Sequence, residues 1–356
     1  MTKSLKTRLV EFGALPAALW TSGALRPTTP MQSHEWISAA GDVYGQGPGT
    51  RALVVGDAEC PRAVAVLGQS GRFGGLRLAG SIDIGESVEV LGTDDAALDD
   101  LARGLTRLGV AIDLGHYPAR QGFSARLRRQ QGRCGWTFAR PLPDRAFPTL
   151  PLDASWTQPL DHCSRSRRQQ YRRKWRKAEA MGPVEVEICA PRHDEVDALF
   201  ARAMAVEAQG WKGREGTALS HDPKQADFLM RYGRLMAAQD RLRLCFLTVG
   251  GEDAAMTYAV VWDNRFWAIK VGYDDGFSAI SPGEALLVAL IRDCAEQGHD
   301  AFEFCGKEAA WTRAWTTEAV EIQALRFYPW TVAGIGRLAF DGIDLVRRRL
   351  GRARTG

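Results

Sequence analysis

No window of this 356-residue chain approaches the ~18 consecutive apolar residues that a membrane-spanning helix needs. Cysteine is sparse and scattered. Cys60, Cys134, Cys163, Cys189, Cys245, Cys294 and Cys305 are odd in number and form no C-x-x-C pair, which argues against a disulfide framework and against a thiolate zinc site. The six histidines show no H-x-x-x-H or similar spacing, so no metal is expected. Charge of one sign is also lacking in bulk: 46 Lys and Arg stand against 42 Asp and Glu, and a net +4 implies no general affinity for polyanions. An export signal is broken before it forms. Lys3, Lys6 and Arg8 precede the apolar run Ala14 to Trp20, but Glu11 interrupts the approach and Pro16 the run. Reduced thiols in the cytoplasm are the expectation.

What is present reads as an ordinary globular chain, 45% hydrophobic and 25% charged, long enough for two domains. In the first half, Arg51 to Val55 and Ala63 to Leu67 are short apolar strands, and Gly74 to Leu91 adds strand-like pieces. Ala97, Leu98, Leu101, Leu105 and Leu108 make a helical stripe, followed by a strand at Ile112 to Leu114 and a basic helix from Phe123 to Arg129. Arg140 to Asp153 carries four prolines, a density that prevents helix and favours an extended connector, so the boundary falls here. The expected division is 1–145, 146–330 and a basic amphipathic tail helix over 331–356.

The second half is organised around the stretch Ala254 to Trp315. Met256 to Trp262 and Phe266 to Tyr273 are rich in β-branched and aromatic residues, and Asp263-Asn264 between them predicts a tight hairpin. A loop then leads into a helix carrying Leu286, Leu287, Leu290 and Ile291, stopped by Gly298. A strand at Ala301 to Cys305 follows, then Gly306 and a helical piece with Trp311 and Trp315. A strand–loop–helix of this kind offers unpaired backbone N–H groups and the positive end of a helix dipole to an anion. Ser281-Pro-Gly-Glu284 is also a capping-box sequence, and Glu284 would then occupy the donors an anion needs.

Other stretches invite function. Ser164 to Lys177 gathers eight cations without an acid; Tyr171 and Trp175 are one turn apart within it. It is either a solvated face with docked aromatics or a basic wall for an anionic substrate, with Arg168, Arg172 and Arg176 on one face. Gly210-Trp-Lys-Gly-Arg-Glu-Gly216 reads as a surface loop or an active-site lid presenting Trp211 and Lys212. The tail from Trp330 to Leu350 is amphipathic and ends in Arg347-Arg-Arg349, Arg352 and Arg354. It either packs on the body or lies on an anionic membrane surface.

The order of these pieces resembles the GNAT acyltransferase superfamily, and more narrowly its CelD/BcsL-like branch, related to the FemABX aminoacyltransferases. The matching pieces are Pro30-Met-Gln-Ser-His-Glu-Trp36, Leu150-Pro-Leu, the basic helix around Arg167 to Arg176, Gly210 to Leu219, Ser281-Pro-Gly, and Phe302-Glu-Phe-Cys-Gly306. The resemblance implies an α/β fold of tandem GNAT-like domains, mixed sheets flanked by helices, with a degenerate first copy and a catalytic second one. It implies no permanently bound cofactor. Acyl-CoA would be the co-substrate, its pyrophosphate held at Ala279, Ile280, Ser281 and Gly283, and a small, lipid-linked or sugar-linked amine the acceptor. Candidate catalytic groups are Glu303 as base, with Asp274 as the next carboxylate and Tyr273 as proton donor to sulfur. Arg168, Arg172, Arg176, Trp211, Lys212 and Trp311 would contact substrate. Where family members carry a Tyr-Lys pair after Gly306, this chain has Trp311-Thr312. A long-chain acyltransferase resembling bacterial ceramide synthases, a FemABX-type enzyme using aminoacyl-tRNA, and a non-catalytic partner-binding protein remain alternatives.

Overall fold

The computed structural model describes residues 6–21, 25–44, 49–70, 74–81, 86–119, 122–142, 145–210 and 221–352, with backbone alone for 348–352. Two compact units emerge. One holds Met1–Pro27, Met31–Pro143 and Glu321–Gly356; the other holds Thr28–Pro30 and Asp144–Val320.

The first unit begins with β1 (Thr7–Glu11), α1 (His34–Val43), β2 (Arg51–Gly56), β3 (Pro61–Ser70), β4 (Gly75–Leu78), β5 (Leu91–Gly92), α2 (Asp95–Arg107), β6 (Ile112–Pro118), α3 (Phe123–Arg128) and β7 (Gly135–Pro141). The second comprises β8 (Phe147–Pro151), α4 (Arg165–Glu179), β9 (Val184–Cys189), α5 (Val196–Ala208), α6 (Pro223–Ala237), β10 (Leu242–Val249), β11 (Glu252–Trp262), β12 (Arg265–Tyr273), α7 (Pro282–Glu296), β13 (Ala301–Glu303), α8 (Ala310–Arg313) and β14 (Ala319–Val320). The chain then returns to the first unit with β15 (Ile322–Pro329) and α9 (Val332–Arg352).

The two sheets repeat one plan. The first runs β1-β2-β3-β4-β6-β15-β7, the second β9-β10-β11-β12-β13-β8-β14. Each has three antiparallel steps, then one parallel pair bridged by a helix, then two more antiparallel steps. The parallel pairs are β4·β6 across α2 and β12·β13 across α7. Parallel strands need such a crossover because the chain must return to the same end of the sheet. In the place where the first sheet takes β15, the second takes β8. The sequence reading ran the second domain to 330, but β15 hydrogen-bonds to β6 and β7 of the first sheet.

Local chemistry accounts for the elements. Asp263 and Asn264 both adopt positive φ, 49° and 56°, as a two-residue hairpin turn requires, and short polar side chains tolerate this best. Asp94 caps α2 by accepting the Ala97 N–H at 2.9 Å. The proline-rich connector is more structured than its composition suggests. Phe147–Pro151 pairs with β13 on one side and β14 on the other.

In the second unit, α7 buries Leu286, Leu287, Leu290, Ile291 and Cys294 against Ala255, Ala259, Phe266 and Ala268 of the hairpin. Tyr171 and Trp175 of α4 pack on the same core, their rings stacked at 6.0 Å. Phe200 of α5 packs edge-on against Tyr258 of β11, whose hydroxyl donates to the Leu229 carbonyl of α6 at 3.0 Å.

Candidate functional site

The parallel pair of the second sheet is short. Arg265, Phe266 and Trp267 register with Ala301, Phe302 and Glu303, and the ladder stops there although β12 continues to Tyr273. Past Glu303 the chain turns away through Cys305 and Gly306, both at positive φ. The loop to α7 therefore starts from a strand end that its parallel neighbour has already left.

That loop is a tight piece of backbone. Asp274 accepts the Gly276 N–H at 2.7 Å and so nucleates a 3-10 turn over Asp275–Ile280. Its Oδ2 has no hydrogen-bond partner among the described residues. Ser281 sits in the left-handed region at φ 52°, and its side chain does not cap α7. Pro282 opens the helix, fixing φ where no N–H is required. The structure thus brings Tyr273, Asp274, Ala279, Ile280, Ser281 and Gly283 together: Ala279 is exposed, Ile280 buried, and a Cβ on Gly283 would meet the Tyr273 ring at 3.6 Å.

The expected capping box does not form. Glu284 turns instead to α4, where Arg167 donates to its Oε1 from Nε at 3.2 Å and Nη2 at 3.0 Å, and Lys174 Nζ lies 3.5 Å from Oε2. Arg167 also donates to the Ala314 carbonyl and lies over the Trp315 ring at 4.2 Å. A carboxylate on its own helix end competes for the same donors as an outside anion; here two cations hold it aside. The equivalent helix of the first unit is closed. Asp94 caps α2, and its carboxyl is held down at about 2 by the Ala97 N–H and by Arg62.

Glu303 does not join the site. Its register with Trp267 places it six residues, about 20 Å of strand, from Tyr273. Arg265 Nη1 donates to Oε1 and Thr149 Oγ1 to Oε2, both at 2.6 Å, and the residue is 6% exposed. Both oxygens are engaged by partners that stabilise a fixed carboxylate, so the base role expected of it is not supported.

The basic helix divides its cations. Arg167 and Lys174 face Glu284, and Arg168 pairs with Asp161 at 3.3 Å. Arg172 and Arg176 are exposed and flank an open groove of about 620 Å³, which Tyr171, Trp175, Val288 and Arg292 also line. Burial, opposed by Arg292, pushes the Tyr171 hydroxyl up to about 12. The space between α4 and the start of α7 itself is about 10 Å³, room for one water. Trp311 is exposed and packs edge-on to Phe304, centroids 5.6 Å apart. Trp211 and Lys212 lie outside the described residues.

One cluster escaped the sequence reading. Lys270 Nζ lies 3.2 Å from Glu207 Oε1 on α5 and donates to Gln225 Oε1 on α6 at 3.0 Å. Glu207 is 1% exposed. A bulge brings them together: Tyr258 registers with Lys270 but Ala259 with Ala268, leaving Ile269 as an extra residue. One inserted residue reverses the alternation, so Lys270 and Gly272 face α5 rather than α7. A lysine inside an otherwise apolar strand was the available signal.

Residues 165–313 match the family model described as an acetyltransferase (GNAT) domain. No curated protein matches the chain. Among solved structures, a conserved protein of unknown function from Bacteroides thetaiotaomicron superposes with a TM-score of 0.59 at 10% identity, covering 91% of this chain and 99% of that one. FemX does so with 0.56 at 11% identity, covering 90% and 97%. The C-terminal domain of a candidate lysylphosphatidylglycerol synthetase from Agrobacterium fabrum gives 0.53 at 12%, covering 87% and 96%. At such identities these likenesses concern the fold alone. The fold is α/β, tandem GNAT-like, with two mixed sheets flanked by helices.

Proposed function

We propose that the second unit is an N-acyltransferase that moves an acyl group from acyl-CoA, or a related thioester, to an amine. The observation that carries this reading is the start of α7: a helix N-terminus without a side-chain cap, at the end of a strand whose parallel partner has parted from it. In this reading the pyrophosphate sits on the turn Ala279–Gly283, where helix donors and dipole stabilise it. The thioester then runs beside β12.

Transfer requires the amine to lose a proton, the carbonyl oxygen to meet a donor, and the thiolate to gain a proton. In this reading Asp274, which keeps one carboxylate oxygen outside its turn bond, takes the amine proton. Tyr273 supplies the proton to sulfur. The CelD/BcsL-like resemblance points to an acceptor in cell-envelope, exopolysaccharide or lipid chemistry, a sugar-linked or lipid-linked amine. Calorimetric titration with CoA tests the reading. Gly283→Val should weaken binding at least about tenfold, ~1.4 kcal/mol, because the branched side chain fills the backbone approach. CoA binding unchanged in a folded variant would remove the assignment.

A second reading has its own support. The exposed row Arg172, Arg173, Arg176 and Lys177 fits a phosphate backbone, as an aminoacyl-tRNA donor of the FemABX type would present. Salt-dependent tRNA binding without CoA binding would favour it.

A further inference from the structure

Helix α9 sits on its own unit with its polar stripe inward. Asp341 accepts from the Tyr328 hydroxyl at 2.8 Å, from Arg337 Nε at 2.9 Å and from Arg326 Nη1 at 3.4 Å. Arg337 Nη1 also donates to the Ser70 carbonyl at 3.1 Å, and the Arg337 and Asp341 side chains are each 15% exposed. The apolar stripe faces out. Val332 is 93% exposed, Ile335 53%, Ile343 54% and Val346 55%, with Phe340 at its margin at 47%. At 100° per residue, Val332, Ile335, Ile343 and Val346 fall within an arc of about 80°. A helix that docks for burial turns this stripe inward; here the bonds from Arg326 and Tyr328 to Asp341 and from Arg337 to the Ser70 carbonyl fix the opposite orientation, and rolling the helix over would break them.

The stripe continues past the start of the helix. Trp330 packs against Trp136 of β7, ring centroids 4.5 Å apart, and Phe138 lies edge-on to Trp136 at 6.5 Å. All three rings are more than 40% exposed, and β7 ends the strand order of the first sheet. Apolar surface of this extent, left in water, marks a contact surface.

We infer that this face lies on an anionic lipid bilayer, with the α9 stripe and the Trp136–Trp330 pair at headgroup level. Charge selects that occupant. Between Asp344 and Arg352 the helix sequence holds no acidic residue but has Arg347, Arg348, Arg349 and Arg352, and a cationic helix end is drawn to anionic headgroups. Tryptophans at one end of the stripe suit the same interface. The helix lies on the surface rather than crossing it, since no described helix is long and apolar enough to span a membrane. A second copy is the weaker occupant. A stripe of 21 residues is about 31 Å long, so even with the three rings it offers roughly 400 Å², about half of what each partner of a stable dimer buries. The inference stands apart from the transferase reading, because it concerns the first unit alone.

Co-sedimentation of the full chain with vesicles of phosphatidylcholine, with and without phosphatidylglycerol, tests it. The protein should pellet with the phosphatidylglycerol vesicles and less so as salt rises. Ile335→Asp with Ile343→Asp should cut binding at least about tenfold while the melting temperature holds, both side chains being more than half exposed. Should that pair fail to fold, Ile343→Ser alone gives the same comparison. Arg347→Gln with Arg349→Gln should reduce the preference for phosphatidylglycerol. Three outcomes overturn the inference: no binding to anionic vesicles at low salt, equal binding by the folded aspartate variant, or a dimer in light scattering that the aspartates dissociate.

Discussion

Glu284 and Arg167, 117 residues apart in the chain, form a two-point contact at the mouth of helix α7, with 3.2 and 3.0 Å between the guanidinium nitrogens and one carboxylate oxygen. The contact keeps a negative charge within the first helical turn while drawing it off the helix axis. An incoming pyrophosphate would meet the dipole, two cations and, from the helix's own first turn, this opposing charge. Glu284→Gln removes the opposing charge and releases Arg167 and Lys174. CoA affinity measured by calorimetry should rise about three- to tenfold, and the gain should fade with salt as screening replaces the lost repulsion. A fall in affinity would mean that Glu284 orients the cations rather than competing with the ligand.

The first unit lacks this opening because Asp94 closes its helix. With the carboxyl lowered to about 2 from an ordinary 3.8, the cap stabilises fully above pH 3.8 and is lost as pH falls through about 2. Urea midpoints of the wild type and of Asp94→Ala should therefore differ by a constant amount above about pH 5, and the difference should shrink steadily below pH 4. A difference independent of pH would show that the carboxylate charge is not what caps α2.

Glu303 now predicts stability rather than rate. Glu303→Gln keeps the volume but replaces a charge-assisted bond to Arg265 with a neutral one. Because the Arg265 side chain is 40% exposed and partly screened, the expected loss is about 1–2 kcal/mol in urea unfolding. Turnover should stay within about twofold of wild type, since the residue is roughly 20 Å of strand from Tyr273. A hundredfold drop in turnover with normal stability would restore it as the base.

The sequence disclosed features that are written locally. Asp263-Asn264 announces its hairpin because both residues tolerate positive φ. The α2 stripe and the loop into α7 follow from periodicity and Pro282. Partners far along the chain were not legible. Strand alternation by itself would turn Glu303 away from Phe302 and Phe304, yet all three are buried, and only the register against Arg265 and Thr149 defines the surroundings of Glu303. The tail showed two faces on a helical wheel, but which one turns inward depends on Ser70, Arg326 and Tyr328. Glu284 read as a capping residue until α4 was laid beside it. The bulge at Ile269 is the hardest case, because one extra residue reverses the faces of everything after it, and Lys270 within an apolar run is its one trace in the sequence.

That bulge makes the last prediction the sharpest. Lys270 is 15% exposed at its side chain and Glu207 1%, so the ammonium and carboxylate share a site with little water. Lys270→Met keeps most of the stem and deletes the charge, which leaves Glu207 buried without its ammonium. Removing one partner of a buried pair costs about 3 kcal/mol or more, far beyond the lost attraction, because the remaining charge stays desolvated. Lys270→Met should therefore destabilise the chain strongly in urea. Adding Glu207→Gln should recover more than half of that loss, giving a coupling energy of about 1–3 kcal/mol in the double-mutant cycle. If the two losses simply add, the pair does not act as a unit, and close packing, Gly272 against Glu207 and Gly210 against the Tyr273 carbonyl, holds α5 to the end of β12 without it.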